Sequence, residues 1–183
     1  MPWNPTTIDS EILAVHAALL PTGSKGQVLL FGGDEHWGAQ DETQPGELFK
    51  KTKIHDIDSN LINAVESPDS DVFCAGHAFL ADGRLMIGGG TSEWPETDHH
   101  DHGLDFLGHR RCWIFNQNEK QWVEAKRMSP QPGREADDIG GGRWYPTLVT
   151  LANGEVIAFF GHFMSKTIKY FVSLFEVWAI RKG

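Results

Sequence analysis

The chain has little cysteine, little positive charge and no long apolar run. Its 183 residues include 2 cysteines, and 16 Lys and Arg stand against 25 Asp and Glu, which gives a net charge of −9. This acidic balance argues against nucleic acid or an anionic membrane surface as the main partner, since both attract clustered Lys and Arg. No apolar run is long enough to cross a bilayer, and residues 1–5 carry no basic and apolar signal segment. We therefore expect no membrane partner, and the sequence as written is not addressed for secretion.

The shortage of cysteine also limits the part that disulfides can play. A bond between Cys74 and Cys112 is allowed by the count alone. Two cysteines in a chain without a signal segment make a weak case for it. Cys112 follows no recognisable site motif, and we interpret it as structural.

What the chain does contain is a repeat. Residues 16–33, 77–90 and 145–161 share one plan, in which a short apolar strand, a turn with glycine, a second apolar strand and a final glycine follow in order. Asp82-Gly83 and Asn153-Gly154 supply the turn residues that tight hairpins need. The apolar runs after these turns are nearly continuous, which predicts strands covered on both faces.

Two copies of the repeat are followed by a second pair of candidate strands. Residues 53–58 lead to residues 61–65, and residues 112–116 lead to residues 121–123. Two hairpins form a four-stranded antiparallel unit, the size of one propeller blade. A β-sandwich has similar spacing, but it does not require a repeat of sequence. The sequence predicts an all-β chain, a partial β-propeller of about two blades and the first hairpin of a third, over residues 1–163.

Residues 164–183 do not follow this pattern. Ile168, Phe171, Val172, Phe175 and Trp178 lie at helical spacing, which predicts a basic amphipathic helix. The alternative that we favour is a foreign reading frame or truncation scar. Propellers close with four or more blades, so we expect this chain to be part of a larger protein.

Two motifs carry a family resemblance. They are Asp71-Val72-Phe73-Cys74-Ala75-Gly76-His77, with the hairpin to Gly90, and Arg143-Trp144-Tyr145-Pro146-Thr147, with the hairpin to Gly161. In this order they resemble the cysteine-bearing and tyrosine-bearing blades of the galactose oxidase and glyoxal oxidase family, kelch-type β-propellers with a mononuclear copper radical site. The resemblance covers most of residues 12–162 and none of the tail.

The resemblance implies a site and a reaction. Cys74 would be joined to Tyr145 by a thioether bond, and Tyr145 would bind copper and serve as the radical. The complete protein would oxidise a small primary alcohol, aldehyde or carbohydrate while O2 becomes H2O2. The family also needs two histidines and an axial tyrosine from later blades, and the other tyrosine here, Tyr170, lies in the tail. We therefore expect this chain alone to hold no copper and to be inactive, as a fragment of an oxidase.

Other interpretations of the same residues stay open. Cys74 in an apolar context is commonly a small buried hydrophobe, and Tyr145 before proline is commonly a packing residue. A dense cluster of imidazoles, His99, His100 and His102, is a weaker candidate for a divalent metal site. The alternatives to an oxidase fragment are thus a non-catalytic kelch module that binds a protein or glycan, and a metal-binding module built on the His-rich loop. In all three cases, uncovered blade edges predict self-association.

Overall fold

A computed structural model describes residues 9–10, 12, 14–32, 51–93, 107–130, 140–165, 168–171 and 176–178. These residues form strands, turns and loops and contain no helix, which confirms the all-β class. No helix in this part of the chain could cross a membrane. The strands are β1 (His16–Leu20), β2 (Gln27–Gly32), β3 (Lys51–Asp56), β4 (Leu61–Val65), β5 (Gly76–Phe79), β6 (Leu85–Gly88), β7 (Thr91–Glu93), β8 (Leu107–Gly108), β9 (Cys112–Asn116), β10 (Gln121–Ala125), β11 (Thr147–Thr150), β12 (Val156–Phe159), β13 (His162–Ser165), β14 (Ile168–Phe171) and β15 (Glu176–Trp178).

The first two sheets are the two predicted four-stranded units. The first has the order β1-β2-β3-β4 and the second the order β10-β9-β6-β5, and every neighbouring pair is antiparallel. β5 and β6 are joined through the predicted Asp82-Gly83 turn, where Gly83 has φ +86°. Positive φ is easy for glycine and costly for other residues, so this residue suits the tight turn.

The outer hairpins of these sheets have matching turns. Asp56 Oδ1 accepts the backbone N–H of Ser59 at 2.8 Å, and Asn116 Oδ1 accepts that of Asn118 at 3.0 Å. Three hydrogen bonds from Gln27 and Ser59 lower the pKa of Asp56 to about 2, with that from Gln27 first. A short polar side chain at the end of the inner strand thus closes each turn on its own backbone.

The third sheet begins with the predicted hairpin of β11 and β12. Its third strand is β15, which pairs with β12 through Val156 and Trp178, Ile157 and Val177, and Ala158 and Glu176. Two smaller ladders, β7 with β8 and β13 with β14, complete the strand pairing of the described residues.

The helix predicted for the tail is wrong where the structure describes that segment. Residues 168–171 form β14 and residues 176–178 form β15. The helical spacing of the apolar residues is a local pattern, whereas β12 offers an open edge whose backbone groups a strand can satisfy. Tertiary pairing overrides the weak local preference, and Ile, Tyr and Phe are also common in strands. The boundary at residue 163 and the origin of the tail stay predictions.

Two apolar layers separate the three sheets. Side chains of β6 alternate between them, because Leu85 and Ile87 belong to the first layer and Met86 to the second. All four residues of β6 are buried, which confirms the prediction of a strand covered on both faces. The first layer comprises Ala18, Leu20, Leu29, Phe31, Ile54, Val72, Ala75, Leu85, Ile87, Trp113, Phe115 and Trp122. The second comprises Leu80, Met86, Cys112, Met128, Leu148, Val156 and Ala158.

Candidate functional site

The two residues singled out by the motifs occupy matching places in successive sheets. Cys74 lies two residues before β5, and Tyr145 lies two residues before β11. Both have left-handed backbone conformations, with φ of 61° and 58°. Such angles are uncommon for residues other than glycine and persist only where the surroundings enforce them, often at functional sites. The shared backbone conformation therefore makes both positions candidates for a functional site.

A direct backbone contact joins these two positions. The N–H of Tyr145 donates to the carbonyl oxygen of Cys74 at 2.8 Å. Gly76 makes this approach possible, because a Cβ there would lie 2.4 Å from the carbonyl oxygen of Pro146. The structure thus brings together two residues that lie 71 positions apart in the sequence.

The two side chains differ in exposure. Cys74 is 0% exposed and forms no disulfide, whereas Tyr145 is 53% exposed. A tight turn holds Cys74 in place, since Asp71 Oδ1 accepts the N–H of Phe73 at 2.9 Å and the carbonyl of Val72 accepts the N–H of Ala75 at 3.0 Å. The phenol is therefore accessible to reagents, and the thiol is enclosed.

Trp144 and Thr91 connect the surroundings of the two residues. The ring of Trp144 meets that of Tyr145 edge-on, with centroids 4.5 Å apart. Its Nε1–H donates to Thr91 Oγ1 at 3.2 Å, and that hydroxyl donates to the carbonyl of Phe73 at 3.0 Å. The indole is thus tied to the residue preceding Cys74, and edge-on packing restricts the phenol. Trp144 is part of the sequence motif, but the residues around Thr91 give no sequence signal for this hydrogen bond.

Arg143 is a buried residue that holds the same segment in place. Its side chain is 1% exposed, and Nη1 donates to the carbonyl of Phe160. Its backbone N–H donates to the carbonyl oxygen of His109 at 3.1 Å, and its carbonyl accepts the N–H of Gly90 at 3.1 Å. The hydrogen bonds of Arg143, two positions before Tyr145, therefore connect it to three separate segments of the chain. The sequence motif included Arg143 without indicating that it is buried.

The remaining predicted metal and cysteine features have different outcomes. His99, His100 and His102 lie outside the described residues. Within the described ranges, no three side chains of His, Cys, Asp or Glu are grouped so that they could hold a metal ion. Cys74 and Tyr145 alone are too few donors for a copper centre, so the described residues do not fit one by themselves. Neither cysteine forms a disulfide, and Cys112 is buried with its thiol toward the carbonyl of Arg110.

Comparison with known sequences gives a partial match. No family model matches the chain. A WSC domain-containing protein from Arthroderma benhamiae is 33% identical over 90 residues, which are 48% of this chain and 8% of that protein. The match therefore spans less than a tenth of the length of this curated relative.

Comparison with solved structures covers nearly all of the chain. A fungal alcohol oxidase of the AA5 family, solved in complex with copper, matches with a TM-score of 0.59 and 16% identity. The match covers 93% of this chain and 29% of the oxidase. This likeness shows that the chain has the fold of part of that oxidase.

Proposed function

We propose that this chain carries the cysteine and tyrosine of a galactose oxidase-like or glyoxal oxidase-like radical site. The observation that carries the proposal is the 2.8 Å hydrogen bond between the backbones of Tyr145 and Cys74. Their matching left-handed conformations and the fold shared with an AA5 alcohol oxidase support it. The relative that matches in sequence and the oxidase are both much longer than this chain. The copper ligands are proposed to come from a longer protein.

The reaction proposed for the complete protein is oxidation of a small primary alcohol, aldehyde or carbohydrate. Two electrons and two protons leave the substrate, and O2 accepts them to form H2O2. The part proposed for this chain is to position the reacting groups. It holds the thiol of Cys74 beside the Tyr145 segment, and Trp144 restricts the phenol. Without further donors, the chain alone is proposed to be inactive.

Peptide mapping after incubation with Cu(II) and O2 tests the chemical part of this proposal. We expect a peptide that links Cys74 to Tyr145 and has lost two hydrogens, because the S–H and a ring C–H are replaced by a C–S bond while O2 takes up two electrons and two protons. Cys74→Ser and Tyr145→Phe should both lose the linked peptide. Cys112→Ser is the matched control, since Cys112 is an equally buried cysteine that forms no disulfide. Unlinked peptides from folded wild-type chain would mean that the thiol and the ring do not couple without the copper ligands proposed to come from a longer protein.

A second experiment tests the proximity without copper. Two backbones joined by a direct hydrogen bond have Cα atoms about 5–6 Å apart, a separation that a disulfide can bridge. Tyr145→Cys should therefore form a disulfide with Cys74 under mild oxidation, and Cys112 should stay free. If position 145 bonds to Cys112 or to neither cysteine, the two motifs are not adjacent. If the disulfide forms but the thioether does not, the two motifs are adjacent, and the coupling is proposed to need the copper ligands of the longer protein.

We further propose that the isolated chain associates with itself. The outer strands expose Leu61 and Val123, the third sheet exposes Val149, and Phe160 directly after β12 is also exposed. Exposed apolar side chains next to open strand edges favour pairing between chains. Sedimentation velocity should show dimers or larger species whose share grows with concentration. A monomer at every concentration would contradict this, and would favour a self-contained module that binds a protein or glycan.

A further inference from the structure

Two histidines meet between the first and second sheets. His16 lies on β1 and His77 on β5, and their ring centroids are 5.3 Å apart at an interplanar angle of 84°. Phe31 of β2 stacks on His16 at 5.0 Å and meets His77 edge-on at 5.6 Å. The sequence showed these histidines only as the first residues of two repeats.

The space around this pair is apolar. Phe31 is fully buried, and it meets the ring of Trp122 from β10 at 5.6 Å. Ile87 lies opposite His77 on β6 and is also fully buried. The two half-buried imidazoles thus lie against the first apolar layer, where neutral rings pack well and a charge is poorly solvated.

One nitrogen of His16 has no hydrogen-bond partner. Nε2 is buried and unpaired, while the ring hydrogen-bonds the backbone carbonyl of Val72, which leaves this bond to Nδ1. A neutral imidazole has one donor and one acceptor nitrogen, so Nε2 can stay an unprotonated acceptor. A proton on Nε2 would create a buried N–H donor with no acceptor.

No negative charge of the described residues compensates a proton at this contact. Phe31 and Ile87 face the pair from β2 and β6, Trp122 of β10 packs on Phe31, and the segment before β5 contributes the carbonyl of Val72. Burial, and then the neighbouring His77, lower the pKa of His16 from 6.5 to about 4, although the Val72 carbonyl opposes the shift. Burial also lowers the pKa of His77.

We propose that the contact between His16 and His77 makes the packing of the first sheet on the second sensitive to acid. The sheets pack when both rings are neutral. Acid opens this interface first, because a proton on either ring lies in an apolar layer beside another imidazole. This proposal does not depend on the proposed oxidase function.

The direction of the effect follows from proton linkage. In the open state His16 takes up a proton near its ordinary pKa of 6.5, whereas in the packed state it does so only near 4. Stability is therefore complete above pH 6.5 and falls as the pH drops from 6.5 to about 4. Over this window His16 alone should reduce the ratio of packed to open chain on the order of 100-fold.

Urea unfolding between pH 4 and pH 7.5 tests this proposal in three variants. Between pH 7.5 and pH 4, the folding equilibrium constant of His16→Gln should fall on the order of 100-fold less than that of wild type. His77→Gln should also make this constant depend less on pH. The matched control is His55→Gln, because His55 bonds Asn60 at an exposed turn. His55→Gln should follow the wild type. If His16→Gln also follows the wild type, the proposal is overturned.

Two measurements on the unaltered chain guard against a variant that fails to fold. In NMR titrations the ring of His16 should stay neutral to a pH near 4, and a normal titration near 6.5 would overturn the proposal. Hydrogen exchange at pH 5 should rise at β1 and β5 before it rises at β9 and β10. Equal acceleration in all four strands would indicate general acid unfolding and would also overturn it.

Discussion

Gly76→Ala should lower the free energy of unfolding by about 3 kcal/mol. A Cβ at this position would lie 2.4 Å from the carbonyl oxygen of Pro146 and 2.6 Å from Leu148 Cδ1. The leucine side chain can rotate, but the carbonyl belongs to the backbone that leads from Tyr145 into β11. The second and third sheets would have to move apart, and contacts of the second apolar layer would be lost. Urea unfolding followed by far-UV circular dichroism measures the change.

Gly83→Ala provides the control for this substitution. Gly83 has φ +86°, and its nearest neighbour, Gln117 Nε2, would be 3.8 Å from an added Cβ. That variant experiences only backbone strain, which costs about 1 kcal/mol. If the two alanine variants are equally stable, the close contact between Gly76 and Pro146 does not exist. Gly76→Ala combined with Tyr145→Cys should also form less of the disulfide to Cys74.

The local part of the fold could be predicted because its signals lie within a few residues of each other. Asp82-Gly83 and Asn153-Gly154 specify turns, and the apolar runs beside them specify the strands that these turns connect. The outer hairpins follow the same logic, with Asp56 and Asn116 closing their turns. Such features depend on neighbours in sequence, so they persist whatever packs around them.

Features that depend on distant partners could not be predicted. β15 pairs with β12, about 20 residues away, and the spacing of apolar residues in the tail pointed to a helix instead. The tail has too few residues to fix its own conformation against an open strand edge. Its structure is decided by the partner, and periodicity contains no information about that partner.

The candidate site also has some features that the sequence indicates and others that depend on distant partners. Cys74 and Tyr145 were found through the resemblance of their motifs, and the backbone contact between them is a new structural fact. Their left-handed φ angles, the link from Trp144 through Thr91 to Phe73, and the meeting of His16 with His77 all require packed sheets. Residue types alone do not reveal which side chains face each other across two sheets.

Arg143→Met should lower the free energy of unfolding by about 3 kcal/mol, because methionine keeps much of the length and loses every donor. The carbonyl of Phe160 would lose its guanidinium partner in a site where Arg143 is 1% exposed. Gly89 and Gly161 approach Arg143 so closely that an added Cβ would lie 2.3 Å and 2.6 Å from its atoms. The backbone and Cβ of Arg143 are therefore tightly enclosed.

The position of Tyr145 gives this variant a readout that stability alone does not provide. Arg143 lies two residues before Tyr145, so loosening its contacts should reduce the Cys74–Tyr145 thioether and the engineered 74–145 disulfide even where the chain remains folded. Arg143→Lys keeps a charge and a donor, and should restore part of both. Arg84→Met is the matched control, because Arg84 pairs with Asp82 at 2.7 Å on the surface and its loss should cost less than about 1 kcal/mol. If Arg143→Met is as mild as Arg84→Met and leaves both bonds intact, Arg143 does not hold the tyrosine segment in place.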